Sequence, residues 1–293
     1  MPRVVWGSPT LQDIAVTSGL SPLPSLTARQ QSEYDFHRAH AASRHELIDQ
    51  PVAGDIVSEP SRRPWNAYWS MYDRIIAANP VGKRVLVPGS GFGDDAIRLA
   101  MLGARVSTFD LSPESVDIAR ARAERCGYPE IDFRVMPAEA LGHYAEDEFD
   151  MVVFVDILHH VDISATLPEI VRVIKPGGMI IGDELYTHSA LQRWRESAPV
   201  TKIAYPLMQR WIYNDLTPYI TPEEHKIDEH ELAIVLATMV APSVEFFGIA
   251  EGRLFPSRMV WASKIDRSAI RLSRSAARRL GSRVVFSGEV GGS

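Results

Sequence analysis

Val85-Leu86-Val87-Pro88-Gly89-Ser90-Gly91-Phe92-Gly93 is an apolar, strand-sized run closed by three glycines at alternate positions. Glycine lets a backbone turn tightly and approach a ligand with no Cβ in the way. The helical pattern of Asp94–Leu102 follows directly. A helix start offers free N–H groups and the positive end of the helix dipole to an anion. Strand, glycine turn and helix in that order predict a cradle for a nucleotide-like cofactor. Asp110 closes the next strand, Arg105–Asp110. A carboxylate at that point accepts hydrogen bonds from both hydroxyls of a ribose, or else caps the helix that begins near Pro113.

Outward from this motif, short apolar runs alternate with helical ones. Pro113–Cys126 reads as a helix with Ser112 as its cap, and Ile131–Val135 as a strand. Phe149–Val155 is a strand whose nearly continuous apolar run suits burial on both faces. Ala165–Ile174 is a helix ended by Pro176-Gly177-Gly178, and Met179–Glu184 is a strand. The alternation predicts an α/β fold, a doubly wound, seven-stranded, mostly parallel sheet with helices on both faces. A helix at Glu229–Met239 leads to Val244–Ile249 and Arg258–Lys264, which read as a closing antiparallel pair.

The remaining chain divides around that core. Residues 1–26, rich in Pro, Ser and Thr, read as an irregular arm. Residues 27–80 read as a helical lid, with helices at about Thr27–Asp49 and Trp65–Ala78. The core domain is placed at 81–265, with an aromatic insertion at 189–222. Residues 266–293 read as a basic tail whose arginines form a solvated face.

The chain has 293 residues, 45% hydrophobic and 23% charged, with a net charge of −6. Its length supports a core without disulfides or metals. A mildly acidic surface does not attract phosphate backbones, so no nucleic-acid partner is expected. The single cysteine, Cys126, excludes an intrachain disulfide and a zinc–cysteine cluster. His225 and His230 lie in a charged stretch and read as solvated, so no metal is expected. No apolar run reaches membrane-spanning or signal-peptide length, and the expected location is cytoplasmic.

Several segments match, in order, the class I S-adenosylmethionine-dependent methyltransferases: Val85–Gly93, Phe109–Ser112, Ala138–Leu141, Phe149 through His160, and Leu167–Gly178. Over Arg84–Leu185 the chain resembles this family, nearest to the group of ubiquinone/menaquinone-type and natural-product enzymes. The resemblance implies S-adenosylmethionine as cofactor. It implies that Gly89, Ser90, Gly91 and Gly93 form the methionyl loop, that Asp110 binds the ribose and that Leu111 packs on the adenine. It places Ala138 and Glu139 near the base and Val155 at the pocket's end. Two positions depart from the family pattern. Val87 and Pro88 stand where an acid is usual, and Pro137 stands where an aspartate often precedes Ala138.

Sulfonium methyl transfer needs a nucleophile held in line, at about 3–3.5 Å. A base is needed only where a proton must leave. His159 and His160 follow the fourth strand, at the sheet edge where ligands bind, and Glu184 ends the fifth; these are the candidate catalytic residues. Tyr34, His37, Tyr68, Trp69, Tyr186 and Trp211 are candidate substrate-binding residues, able to sandwich a flat acceptor and exclude water. The reading is methyl transfer to a small, aromatic acceptor (phenol, quinone precursor or indole) at carbon, oxygen or nitrogen, by a monomer or homodimer. Alternatives are a protein or nucleic-acid methyltransferase, an NAD-dependent oxidoreductase and a non-catalytic cofactor-binding module. Against the first, the chain has Val155-Asp156-Ile157-Leu158 after the fourth strand, where amino-group nucleic-acid enzymes show an Asn/Asp-Pro-Pro-Tyr type segment. The second would want Gly or Ala where Asp94 stands.

Overall fold

The computed structural model describes residues 26–58, 66–195, 197–204, 211, 225–251, 255 and 259–291. The expected N-terminal arm lies outside these residues except for Leu26, as do Trp65 and most of the aromatic insertion.

Helix α1 (Ala28–Ala42) begins with a capping box: the Thr27 hydroxyl accepts from the Gln30 N–H, and the Gln30 side chain accepts from the Thr27 N–H. It ends earlier than the sequence pattern predicts, and a 3-10 turn covers His45–Asp49. A short helix α2 (Asp55–Ser58) precedes α3 (Ala67–Ala77), capped by Asn66. Trp69, Met71, Tyr72 and Ile75 of α3 are buried in one of two apolar layers.

Seven strands then form one sheet. They are β1 (Arg84–Pro88), β2 (Arg105–Asp110), β3 (Asp132–Val135), β4 (Phe149–Val155), β5 (Ile174–Leu185), β6 (Met239–Phe247) and β7 (Arg283–Val290). Their order is β3-β2-β1-β4-β5-β7-β6. Strands β1 to β5 pair in parallel, and β7 runs antiparallel to both of its neighbours. Crossovers are made by α4 (Asp94–Met101), α5 (Pro113–Arg125) and α6 (Ile163–Val173). Strand order reverses at the β1–β4 junction, so the crevice outside the carboxyl ends of these strands is the natural ligand site. This is the seven-stranded, doubly wound sheet expected from the sequence.

The closing pair needs correction in its second member. Residues from Val260 to Leu272 are not a strand but helix α9, reached after α7 (Ser189–Arg195) and α8 (Glu229–Leu236). Ala262, Asp266 and Ile270 are buried at a spacing of four, whereas Trp261 and Ile265 are exposed; the period is helical. A short apolar run beginning Val260-Trp261-Ala262 does not distinguish the two periods. After α10 (Arg274–Leu280), the seventh strand comes from residues read as tail, where Val284, Val285 and Phe286 are fully buried. Among the described residues, no helix is long and apolar enough to cross a membrane.

Candidate functional site

A cavity of about 490 Å³ opens at the carboxyl edge of β1, β2 and β4, under α1. That volume suits a cofactor-sized ligand. Its floor is the turn after β1. Gly89, Gly91 and Gly93 have φ of 72°, 47° and 87°, a region that side-chain-bearing residues rarely adopt. A Cβ on Gly89 would stand 2.7 Å from Ile157 Cδ1, so the glycine loop lies directly against the turn after β4. Gly93 does not line the cavity. It starts α4, where an added Cβ would meet the Ala119 Cα at 3.2 Å.

Asp110 connects loop and strand. Its Oδ2 accepts from the Gly91 N–H at 2.9 Å and its Oδ1 from the Ser112 N–H at 2.9 Å. Burial pushes its carboxyl above the ordinary value, against the pull of His37 and these two N–H groups. Leu111, Ala138, Glu139 and Val155 line the same cavity beside Ser90. Helix α1 closes over it. Gln30 Nε2 donates to Glu139 Oε2 at 2.8 Å, Arg38 pairs with Glu114 at 2.7 Å, and an Arg29 nitrogen donates to the His159 carbonyl at 3.4 Å.

The turn after β4 carries the imidazoles. Glu184, fully buried on β5, accepts from the N–H groups of Ile157 (3.0 Å), Leu158 (2.6 Å) and Leu185 (2.8 Å). Its Oε1 lies 2.5 Å from His159 Nδ1. Burial opposes ionisation here, but the His159 ring and the backbone donors outweigh it, so Glu184 is held below the usual carboxylate range. Glu184 therefore does not line the cavity; it aims His159, which does. His160 also lines it, with its Nδ1 3.1 Å from Glu33 Oε2, and His37 Nε2 stands 3.2 Å from the same oxygen. The His37 and His160 rings meet edge to face at 5.4 Å, and His40 stacks on Phe92.

None of the other five candidate substrate residues lines the cavity. Tyr34 is buried on α1, beside Arg38 and Glu114. Trp69 is in the apolar layer under α3. Tyr186 is packed with Phe246. The Tyr68 hydroxyl donates to Asp95, which the Tyr72 hydroxyl also reaches at 2.6 Å, so Tyr68 supports the cavity wall without forming it. Trp211 is half-exposed and does not line the cavity.

The sequence reading missed Glu33, Asp95 and Asp156. Glu33 sits four residues before His37 on α1, and that spacing was the available signal. Asp156, at φ 48°, is held by Arg283, which also pairs with the buried Asp183. The cavity is lined by six carboxylates, Glu33, Asp94, Asp95, Asp110, Glu139 and Asp156, and no lysine or arginine lines it among the described residues.

Residues 86–182 match the family described as a methyltransferase domain. A ubiquinone biosynthesis O-methyltransferase from Cereibacter sphaeroides is 33% identical over 147 residues, which is 49% of this chain and 56% of that protein. Another, from Paracidovorax citrulli, is 36% identical over 100 residues, covering 34% of this chain and 42% of that protein. The chain thus spans about half the length of the curated relatives it matches. Among solved structures, a geranyl diphosphate C-methyltransferase from Streptomyces coelicolor A3(2) superposes with a TM-score of 0.54 at 15% identity, covering 92% of this chain and all of that one. At that identity the likeness establishes a shared fold.

Proposed function

We propose that this chain, whose residues 86–182 match the methyltransferase domain family, transfers a methyl group from S-adenosylmethionine to a small acceptor. The observation that carries this reading is the charge of the cavity. A glycine loop and a ribose-binding carboxylate would serve a dinucleotide equally well. Six carboxylates with no lysine or arginine among the described lining residues would not, because a pyrophosphate would meet negative charge. A sulfonium and an ammonium suit that lining.

Gly89, Ser90 and Gly91 hold the methionyl part, Asp110 the ribose, Leu111 the adenine face, and Ala138 and Glu139 the edge of the base. Gly93 keeps α4 seated against α5. Val155 closes the pocket at the end of β4. Val87 is a buried strand residue, so the ammonium falls to carboxylates of the lining instead of an acid on β1. Bound there, the cofactor supplies an electrophilic methyl group. The chain's own work is to hold the acceptor in line, exclude water under α1 and accept a proton where one must leave. His160 and His159 are the candidate bases, and Glu184 is the positioning residue for His159. His37 faces the acceptor side of the cavity. The region 27–80 acts as a lid in a cytoplasmic monomer or homodimer, and the acceptor is a flat, aromatic small molecule.

Transfer of labelled methyl from S-adenosylmethionine to a panel of phenols, quinone precursors and indoles tests the reading. Protein-dependent incorporation into one class supports it. Tight cofactor binding with no transfer to any member would favour a non-catalytic module.

A further inference from the structure

Glu33 Oε2 stands 3.2 Å from His37 Nε2 and 3.1 Å from His160 Nδ1, and the three ligand atoms lie within 4.8 Å of one another. Bonds of about 2.0–2.2 Å to one metal ion place neighbouring ligand atoms about 2.8–3.6 Å apart, from octahedral to tetrahedral angles. The two separations fall inside that interval. His160 Nδ1 is shielded from solvent and makes no hydrogen bond, so its approach to Glu33 is close without being aligned as a hydrogen bond. Glu33 is buried, and all three residues line the cavity. We propose that Glu33, His37 and His160 form a divalent transition-metal site in the acceptor half of the cavity.

The donor set restricts the ion. Two imidazole nitrogens and one carboxylate suit zinc, iron(II), cobalt(II) or manganese(II); magnesium and calcium prefer all-oxygen shells. Three protein ligands leave coordination positions open to the cavity, as in metal sites that bind a substrate and unlike closed structural ones. The second carboxylate–imidazole cluster, Asp156, His159 and Glu184, lacks this openness. Both Glu184 oxygens are taken by backbone N–H groups and His159, and Asp156 is paired with Arg283.

The site also meets a requirement of the lining. An oxygen acceptor attacks best as its anion, and an oxyanion beside six carboxylates is disfavoured unless a cation faces it. A bound divalent ion supplies that charge and lowers the pKa of a coordinated hydroxyl. The acceptor would then be an oxygen donor to the metal, a phenol or enol, above all one with a second neighbouring oxygen. This acceptor half rests on the methyl-transfer reading; the metal site itself does not.

The test is titration of chelator-stripped, full-length protein with Co²⁺, followed by visible absorption and calorimetry, with Mg²⁺ as the oxygen-preferring control. The expected result is one saturable site with cobalt bands and at least tenfold weaker binding of Mg²⁺. Glu33→Gln and His160→Asn should weaken Co²⁺ at least 100-fold while thermal melting stays cooperative, and Asp156→Asn should leave it within threefold. No saturable Co²⁺ binding, or an affinity unchanged in Glu33→Gln, overturns the proposal. A parallel titration with S-adenosylhomocysteine separates the two readings. Homocysteine-conjugate binding without cobalt binding removes the metal site alone, and cobalt binding without the conjugate removes the methyltransferase reading alone.

Discussion

Replacing Glu184 with Gln removes one charge and exchanges one oxygen for an NH₂ at a point where every neighbour is a donor. Ile157 and Leu158 N–H share one carboxylate oxygen, and His159 Nδ1 and Leu185 N–H share the other. Whichever oxygen becomes nitrogen, at least one buried backbone N–H is opposed by another N–H. An orphaned buried donor costs about 1–3 kcal/mol, and the surviving bonds lose charge assistance worth about 1 kcal/mol each. The net loss expected is about 3–5 kcal/mol, the range for breaking a buried charge pair by removing one member. At about 2–4 °C per kcal/mol for a chain of this size, the melting midpoint should drop by about 6–20 °C. Urea unfolding followed by circular dichroism gives the free energy directly, and scanning calorimetry gives the midpoint. A loss below about 1 kcal/mol would refute the claim that this carboxylate organises the turn after β4, since ordinary surface changes stay within about 0.5 kcal/mol. The pH dependence has a fixed sign. Glu184 is held below its ordinary 4.5, so its contribution is present above pH 4.5 and lost as pH falls through the lower folded value; the Gln variant should lack that acid limb.

Asp183 behaves oppositely. Burial, opposed by Arg283 and aided by Asp156, raises its carboxyl to about 7, so the folded state retains a proton that the unfolded chain releases between pH 3.8 and 7. Stability should fall as pH rises through that window, and Asp183→Asn should flatten the fall; superimposable melting profiles of the two proteins would contradict this. Gly93→Ala should destabilise the fold by about 1–3 kcal/mol, because it combines positive φ with a 3.2 Å approach to the Ala119 backbone. Gly89→Ala likewise combines positive φ with a 2.7 Å approach to Ile157 Cδ1, so it should destabilise the fold and, because Gly89 lines the cavity, also weaken cofactor affinity by calorimetry. His160→Ala should lower kcat with cofactor affinity unchanged, whether the ring accepts a proton or holds a metal ion, and undiminished kcat would remove it from both roles in turnover.

The core was legible because it is local and periodic. Val85–Gly93, Arg105–Asp110 and Phe149–Val155 each state their period within one element, and the structure places them side by side at the edge where the cavity forms. The seventh strand was not legible. Val284-Val285-Phe286 is a short run within an arginine-rich stretch, and only pairing with β5 and β6 makes it a strand. The aromatic residues of the N-terminal region misled for a related reason. Composition marks Tyr34 and Trp69 as apolar but not which way they face, and both turn to packed surfaces away from the cavity. Glu184 was placed correctly on its strand, yet its role depends on two backbone donors from the turn after β4 and on the His159 ring, which no spacing reveals.

Calorimetric titration with S-adenosylhomocysteine, with NAD in a parallel run and Asp110→Ala as the variant, decides which cofactor the cavity holds. The expected result is saturable binding of the homocysteine conjugate, weakened at least tenfold in Asp110→Ala, and no saturable binding of NAD. Saturable NAD binding with none of the conjugate would contradict it and turn the search toward hydride chemistry.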